Sequence, residues 1–329
     1  MNSFKRRNRF MLLLMLHMFF VAQVLGAVLE STDVPIGAYY VQTFGFLLFF
    51  APPVIIYFVL YGKTVKTDFY LAPLGLVNAV LVVIITFAFI PFFFLLSYVS
   101  SLIFTNEAQL MVESMRHTPA WALFLTLAVA PAVFEEIVFR GVLFGKQEQV
   151  SLRGKIIMSA LFFAVMHIDP QQFIYTFFAG LIFAALMLIT RSIKAPIIAH
   201  FSINAFNLWA LLNVSETGAE QSGAETLTAI LFLMLLTLPV LLFAVYLLFM
   251  NNKRKLTIAV IASRLIRDAA FLAALERSEP ENETDKDGFS DDKDAPQYHE
   301  QGGVQAFITW ELWGVFALYF FQVAAYFYN

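Results

Sequence analysis

Long apolar runs separated by short polar segments dominate the chain. Most of these runs have the roughly 20 residues that a helix needs to cross the hydrocarbon core of a bilayer. The runs cover 10–29, 37–61, 75–104, 121–144, 156–167, 171–190, 195–212, 227–250 and 304–328. The pattern predicts an all-α protein, a polytopic transmembrane helical bundle with about 8–9 spans.

The composition agrees with a membrane protein and excludes several functions. Of the 329 residues, 60% are hydrophobic and only 14% are charged, which is far too apolar for a soluble domain. The absence of cysteine excludes disulfides, thiolate metal sites and cysteine nucleophiles. No basic domain is present, so nucleic acid is not an expected partner, and the lipid bilayer is the expected surroundings.

Charged residues alternate in sign from loop to loop. Lysine and arginine concentrate in 1–9, 62–68, 145–155, 191–194 and 251–255, whereas 30–33 and 215–225 are acidic. The positive-inside rule therefore predicts a multi-pass protein of the cell (inner) membrane with a cytoplasmic N-terminus. The first apolar run also allows a signal peptide cleaved near Gly26, but its length favours a retained span.

The sequence divides into five parts. Helices and an external loop occupy 1–119, a helical core 120–213, and a further span 214–255. An amphipathic surface helix is predicted at 256–275, and the acidic stretch to 303 is predicted to be a disordered cytoplasmic linker. Residues 304–329 form a last predicted span.

Three ionisable residues interrupt the apolar run 121–144: Glu135, Glu136 and Arg140. Each costs roughly 2.5–3.5 kcal/mol at membrane depth, so a role is expected. Glu136 and Arg140 have the i, i+4 spacing of a helical ion pair, with the acid N-terminal. Glu135 points about 100° away and lacks a local partner, which suits a general base. A purely structural ion pair would explain Glu136 and Arg140 but not Glu135.

Two more i, i+4 pairs follow in later spans, Phe163 with His167 and His200 with Asn204. Each pair shares one helix face. A lone histidine in an apolar helix is more often a packing residue, but polar groups on three consecutive spans tend to converge where lipid offers no partners. We therefore expect a single cavity at membrane depth. Its predicted lining is Glu135, Glu136, His167, His200 and Asn204.

The three motifs together resemble those of the CPBP family. That family comprises CAAX prenyl endopeptidases of the second type, bacteriocin-processing proteins and lysostaphin-resistance-like proteins. The resemblance covers roughly 120–211, and the neighbouring Pro131, Gly141, Gly180 and Pro196 share it. It implies an intramembrane endopeptidase that hydrolyses peptide bonds of membrane-associated protein or peptide substrates.

The resemblance also implies roles for individual residues. Glu135 and His167 would hold and deprotonate the attacking water, and His200 and Asn204 would stabilise the oxyanion. Glu136 and Arg140, with Phe163, would order the site. A mechanism without cofactor is favoured, because the usual zinc-protease helix signature is absent. Zinc held by Glu135, His167 and His200 is the chemical alternative.

Two other classes of function compete with an enzyme. A proton-coupled transporter would spread its polar residues over many spans, whereas here they concentrate in three consecutive ones. A non-catalytic scaffold or immunity-type protein of the same fold would not need the complete set of three motifs, so their presence argues against this class. The enzyme is therefore the preferred interpretation, and the sequence leaves the substrate open.

Overall fold

The computed structural model describes residues 3–31, 38–61, 65–105, 118–145, 152–213, 223–278 and 310–328. Every regular element in these ranges is helical, and only an isolated antiparallel bridge joins Leu71 to Ser192. The predicted all-α bundle is therefore confirmed. Most of the predicted external loop before the core, the acidic loop at 215–222 and the acidic linker from 279 lie outside the described residues.

Ten helices follow one another along the described chain. They are α1 Ser3–Ser31, α2 Ala38–Tyr61, α3 Val65–Asp68, α4 Leu76–Ser101, α5 Ala120–Phe144, α6 Leu152–Met166, α7 Pro170–Thr190, α8 Lys194–Asn213, α9 Gly223–Ser278 and α10 Trp310–Tyr328. Within these ranges, six helices are long and apolar enough to cross a membrane: α1, α4, α5, α7, α8 and α9. Leu47–Tyr61 and Trp310–Phe321 are shorter apolar helices.

Helix α9 differs from the prediction of a span that ends near 250 and a separate surface helix at 256–275. It runs unbroken for 56 residues, which corresponds to about 84 Å at the α-helical rise. No glycine or proline lies between 251 and 256, and lysine and arginine are good helix formers. The helix therefore continues well beyond the roughly 30 Å hydrocarbon core.

The core of the bundle surrounds α5, which contacts α2 on one side and α6 and α8 on others. Helix α6 packs along α7, and α4 packs against α7, α8 and α9. The largest fully buried side chains include one arginine among many phenylalanines: Arg140, Phe139, Phe144, Phe162, Phe163 and Phe183. The charged residues of the predicted site thus lie inside an aromatic core.

The first and last described helices pack against each other. Arg9 on α1 forms an ion pair with the buried Glu311 on α10, with 3.5 Å between Nη2 and Oε1. Arg7 donates from Nη2 to the carbonyl oxygen of Phe144 at the end of α5, at 2.8 Å. The predicted first span is therefore an integral part of the bundle, and the acidic residue near the start of the last span has a partner.

Two loop segments, 70–72 and 191–193, are hydrogen-bonded to each other beside the start of α8. The Ala72 amide donates to the Arg191 carbonyl at 3.1 Å, and the Ile193 amide donates to the Tyr70 carbonyl at 2.7 Å. Arg191 adopts a left-handed backbone with φ 58° and places its guanidinium 4.6 Å from the Tyr70 ring centroid. Burial raises the pKa of the Tyr70 phenol, so this contact stays uncharged on the tyrosine side and anchors the helix that carries His200.

Candidate active site

Helix α5 changes its winding around the two glutamates. The segments Phe124–Val129 and Ile137–Phe144 are π-helical, and the α-helical stretch Ala130–Glu136 lies between them. Pro131 stands in the first turn of that stretch and has no N–H to donate to the preceding turn. Such π-helical turns are rare and frequently occur at functional sites. Glu135 and Glu136 thus occupy the end of the α-helical stretch, directly before the wider turn.

Glu136 is fully buried and receives two donors on one oxygen. Its Oε1 accepts from Nη1 of Arg140 at 2.9 Å, which confirms the predicted i, i+4 ion pair. The same oxygen lies 3.1 Å from Nδ1 of His200. Since an ionised carboxylate only accepts hydrogen bonds, Nδ1 carries the proton in this contact. Glu136 therefore links the first motif to the third.

Arg140 is fully buried and has partners on three sides. Besides Glu136, its Nη2 donates to the carbonyl oxygen of Gly180 at 3.1 Å. Its guanidinium carbon lies 4.6 Å from the ring centroid of Phe163 and 5.3 Å from that of Phe183. Aromatic faces attract cations, and the attraction grows when both are removed from water. The arginine is thus held by a carboxylate, a carbonyl and two rings.

Glu135 has a different environment from its neighbour. Its side chain is 12% exposed, and its buried Oε2 has no hydrogen-bond partner. This oxygen lies 4.0 Å from Nε2 of His200, which is too far for a direct hydrogen bond. A water molecule between the two atoms would contact both.

The imidazole of His200 is fixed by contacts on its face and edge. The Phe183 ring stacks on it with centroids 5.2 Å apart and 25° between the planes. The Phe163 ring meets it edge-on at 5.6 Å. With Nδ1 directed at Glu136, the remaining nitrogen Nε2 faces Glu135. Residues 64 positions apart along the chain are thereby brought into contact.

His167 lies in the turn after α6, next to Phe163. Its Nδ1 lies 2.8 Å from the Phe163 carbonyl oxygen, and its ring centroid lies 5.0 Å from the Phe163 ring. The Phe163 ring therefore contacts both imidazoles. Within the part of the chain that the structure describes, no hydrogen bond links His167 to Glu135 or Glu136. Asn204 follows His200 by one turn of α8 and is partly buried.

The turn after His167 has an unusual backbone. Ile168 has φ 54°, a region that β-branched residues rarely adopt. Asp169 then caps α7, since its Oδ1 accepts from the Gln171 amide at 2.9 Å and its Oδ2 from the Gln172 side chain at 2.8 Å. The positive φ and the cap together fix where α6 ends, and therefore where His167 lies.

Glu135, His167 and His200 do not form a metal site in this arrangement. Across the described ranges, no group of three or more histidine, aspartate or glutamate side chains has a geometry that would hold a metal ion. Phe163 contacts both His167 and His200, and His200 directs one nitrogen to the Glu136–Arg140 pair.

Sequence reasoning missed the contribution of α7. The Phe183 ring and the Gly180 carbonyl contact Arg140, and Phe183 also contacts His200. Gly180 is one of the residues that carry the family resemblance. Phe183 has no polar group, and the sequence does not distinguish it from the other phenylalanines among the 38 in the chain. Its three-residue spacing from Gly180, which places both on one helix face, is the signal that was available.

Comparison with known proteins agrees with the motifs. Residues 116–206 match the family model described as type II CAAX prenyl endopeptidase Rce1-like. A curated protein of Bacillus subtilis (strain 168), named "Putative membrane peptidase YdiL", is 28% identical over 122 residues, which cover 37% of this chain and 49% of that protein. The chain thus spans about half the length of this relative. No solved structure matches.

The matched region contains every residue that the three motifs contribute, from Glu135 to Asn204. It also contains most of the helical core around α5, α6, α7 and α8. Helices α1 to α4 and α9 to α10 lie outside it. The core of this membrane protein, residues 116–206, is therefore similar to the type II CAAX prenyl endopeptidases of the Rce1-like family.

Proposed function

We propose that this protein is an intramembrane endopeptidase that hydrolyses peptide bonds of membrane-associated proteins or peptides with water activated by Glu135. The observation that carries the proposal is the unpartnered Oε2 of Glu135, which lies 4.0 Å from Nε2 of His200 inside a buried site. A buried carboxylate without a hydrogen bond is costly, and it persists where chemistry requires it.

The proposed reaction starts with a water molecule between Glu135 and His200. Its oxygen attacks the carbonyl carbon of the scissile bond while its proton passes to the Glu135 carboxylate. The tetrahedral intermediate then collapses with cleavage of the C–N bond, and Glu135 returns the proton to the leaving amine. Glu136 keeps the His200 imidazole oriented towards the water through the contact at Nδ1.

The contacts favour a different division of labour from the one that the resemblance implies. Within the described residues, Glu135 has a contact with His200, at 4.0 Å, and none with His167. His167 stays a proposed site residue, in contact with the Phe163 ring. The Asn204 amide, one turn beyond His200, is a proposed donor to the oxyanion; one such donor is typically worth about 100- to 1,000-fold in rate.

The test compares membranes from cells that express the wild-type protein or Glu135→Gln. Glutamine keeps the shape and hydrogen bonding of glutamate but does not accept the proton, so we expect cleavage to disappear while the protein stays folded in the membrane. New peptide termini, mapped by mass spectrometry, should appear only with the wild-type protein. Equal abundance of both proteins in the membrane fraction is the control.

Two results would contradict this proposal in different ways. Identical termini with both proteins would remove the peptidase function and favour a non-catalytic scaffold. Loss of cleavage by the purified protein in 1,10-phenanthroline, with recovery on addition of zinc, would replace the metal-free mechanism by a metal-dependent one.

A further inference from the structure

We infer that Phe183 on α7 is a positioning residue that holds the His200 imidazole in the orientation the reaction needs. The inference rests on the proposed function for its catalytic consequence, although its geometry stands independently. Phe183 is 1% exposed and lies in the aromatic core between α6, α7 and α8. It belongs to none of the three motifs.

The first observation is the nearly parallel stacking of Phe183 on His200. The planes differ by 25° and the centroids are 5.2 Å apart, whereas Phe163 contacts the same imidazole at 86°. A ring on the face and a ring at the edge restrict rotation of the imidazole about its bond to Cβ. This restriction keeps the ring in the one orientation in which Nδ1 faces Glu136 and Nε2 faces Glu135.

The second observation is that the same phenyl ring also packs on Arg140. The Arg140 guanidinium carbon is 5.3 Å from the Phe183 centroid, and its Nη2 reaches the Gly180 carbonyl one turn earlier on α7. The Arg140 guanidinium and the His200 imidazole, which both donate to Oε1 of Glu136, therefore both lie against the Phe183 ring. Phe183 and Gly180 act from the same face of α7.

The third observation is the close packing of α7 against α6, one turn before Phe183. A Cβ atom on Gly180 would lie 2.8 Å from the Ala160 Cα of α6, so only glycine permits this approach of the two helices. Close backbone contact through small residues is a common way for membrane helices to associate. This close contact between α6 and α7 fixes the position of Phe183 along the helix axis relative to Arg140 and His200.

The experiment measures His200 directly by ¹⁵N-histidine NMR of the purified protein in lipid nanodiscs. The chain has 5 histidines, and His200→Gln identifies the signal that belongs to His200. In the wild-type protein we expect one ordered ring with its proton on Nδ1. Phe183→Leu keeps most of the apolar volume but removes the stacked ring, so the His200 signal should show exchange between the two neutral tautomers.

The matched control is Phe162→Leu, which removes an equally buried phenyl ring from neighbouring α6. Both variants lose a similar amount of packing, but only Phe183→Leu should change the His200 signal. Phe183→Tyr retains the ring and should leave the signal as in the wild type. If Phe183→Leu does not fold, Phe183→Met takes its place, with the same expected change.

An activity measurement then separates this inference from the proposed function. With any peptide cleaved by the wild-type protein, Phe183→Leu should lower kcat by on the order of 10- to 100-fold with little change in KM, since misplacement of about 1 Å can have that effect. An unchanged His200 signal in Phe183→Leu, or equal changes in both leucine variants, would overturn the inference. Neither result depends on whether the protein is a peptidase.

Discussion

Glu135 and Glu136 are adjacent in the sequence but have opposite surroundings. Oε1 of Glu136 contacts both Arg140 and His200, whereas Glu135 has no such donors; the Oε2 atoms of both residues lack a hydrogen-bond partner. The roughly 100° between successive residues of a helix turns one carboxylate to its own i+4 partner and the other to α8. One glutamate therefore organises the site and the other is available to react.

A prediction at the residue scale concerns Arg140. Arg140→Ala removes the only cation that contacts Glu136 within the described core and leaves a fully buried carboxylate. Breaking one side of a buried ion pair typically costs about 3–5 kcal/mol. We expect a lower Tm of the detergent-solubilised protein and lower abundance in the membrane, which fluorescence-detected size exclusion would measure.

Arg140→Lys is the informative companion variant. Lysine keeps the charge at Glu136 but cannot also donate to the Gly180 carbonyl in the fork geometry of arginine. Its Tm should lie between those of the wild type and Arg140→Ala. A Tm of Arg140→Ala indistinguishable from that of the wild type would show that the ion pair does not stabilise the fold.

At the scale of the helices, a buried amide cluster connects α4 to α9. Oδ1 of Asn78 accepts from the side chains of Asn251 at 2.7 Å and Asn252 at 2.8 Å, and Nδ2 of Asn78 donates back to Asn252 at 3.2 Å. Asn78 and Asn252 are almost fully buried. The cluster fixes the register of the long helix α9 against α4, which apolar side chains alone would leave free to slide.

Substitution of this cluster gives a second prediction. Asn78→Leu leaves the side-chain oxygen Oδ1 of the buried Asn252 without its donor. This change should lower the free energy of unfolding by about 1–2 kcal/mol. Adding Asn252→Leu to that variant removes the orphaned group, so the double variant should be as stable as the single one or more stable. Thermal unfolding of the purified proteins in detergent measures both. A further loss in the double variant, equal to the first, would contradict a coupled cluster.

At the scale of the whole molecule, the first and last described helices pack against the core that matches the family model. α1 contacts the end of α5 through Arg7 and contacts α10 through Arg9 and Glu311. The helices outside the matched region 116–206 therefore pack against that region and are not separate units. The orientation of this bundle in the membrane stays a prediction from the alternating charges of the loops.

That orientation can be tested with reporters fused at two positions. A reporter after Glu225, near the start of α9, should be external, and one after Arg254 should be cytoplasmic, because lysine and arginine stay on the cytoplasmic side. Paired alkaline phosphatase and green fluorescent protein fusions measure this. A cytoplasmic reporter after Glu225 would reverse the predicted topology.

The sequence by itself determined the local features of this protein. Apolar runs of sufficient length defined the membrane helices, and the Glu136–Arg140 spacing defined the ion pair, because both depend only on helical geometry. Motif spacing indicated the family that residues 116–206 resemble. The unbroken course of α9 escaped prediction because a basic stretch that ends a span can also continue as helix.

Only the tertiary structure decided which helices meet and which side chains share the site. Apolar helix surfaces are equally compatible with lipid and with one another, so hydrophobicity does not specify partners inside a membrane. The contacts of His200 with Glu136, Phe183 and Phe163 depend on how α5, α6, α7 and α8 cross. That crossing is set by close contacts such as Gly180 on Ala160, which no periodic pattern in the sequence reveals.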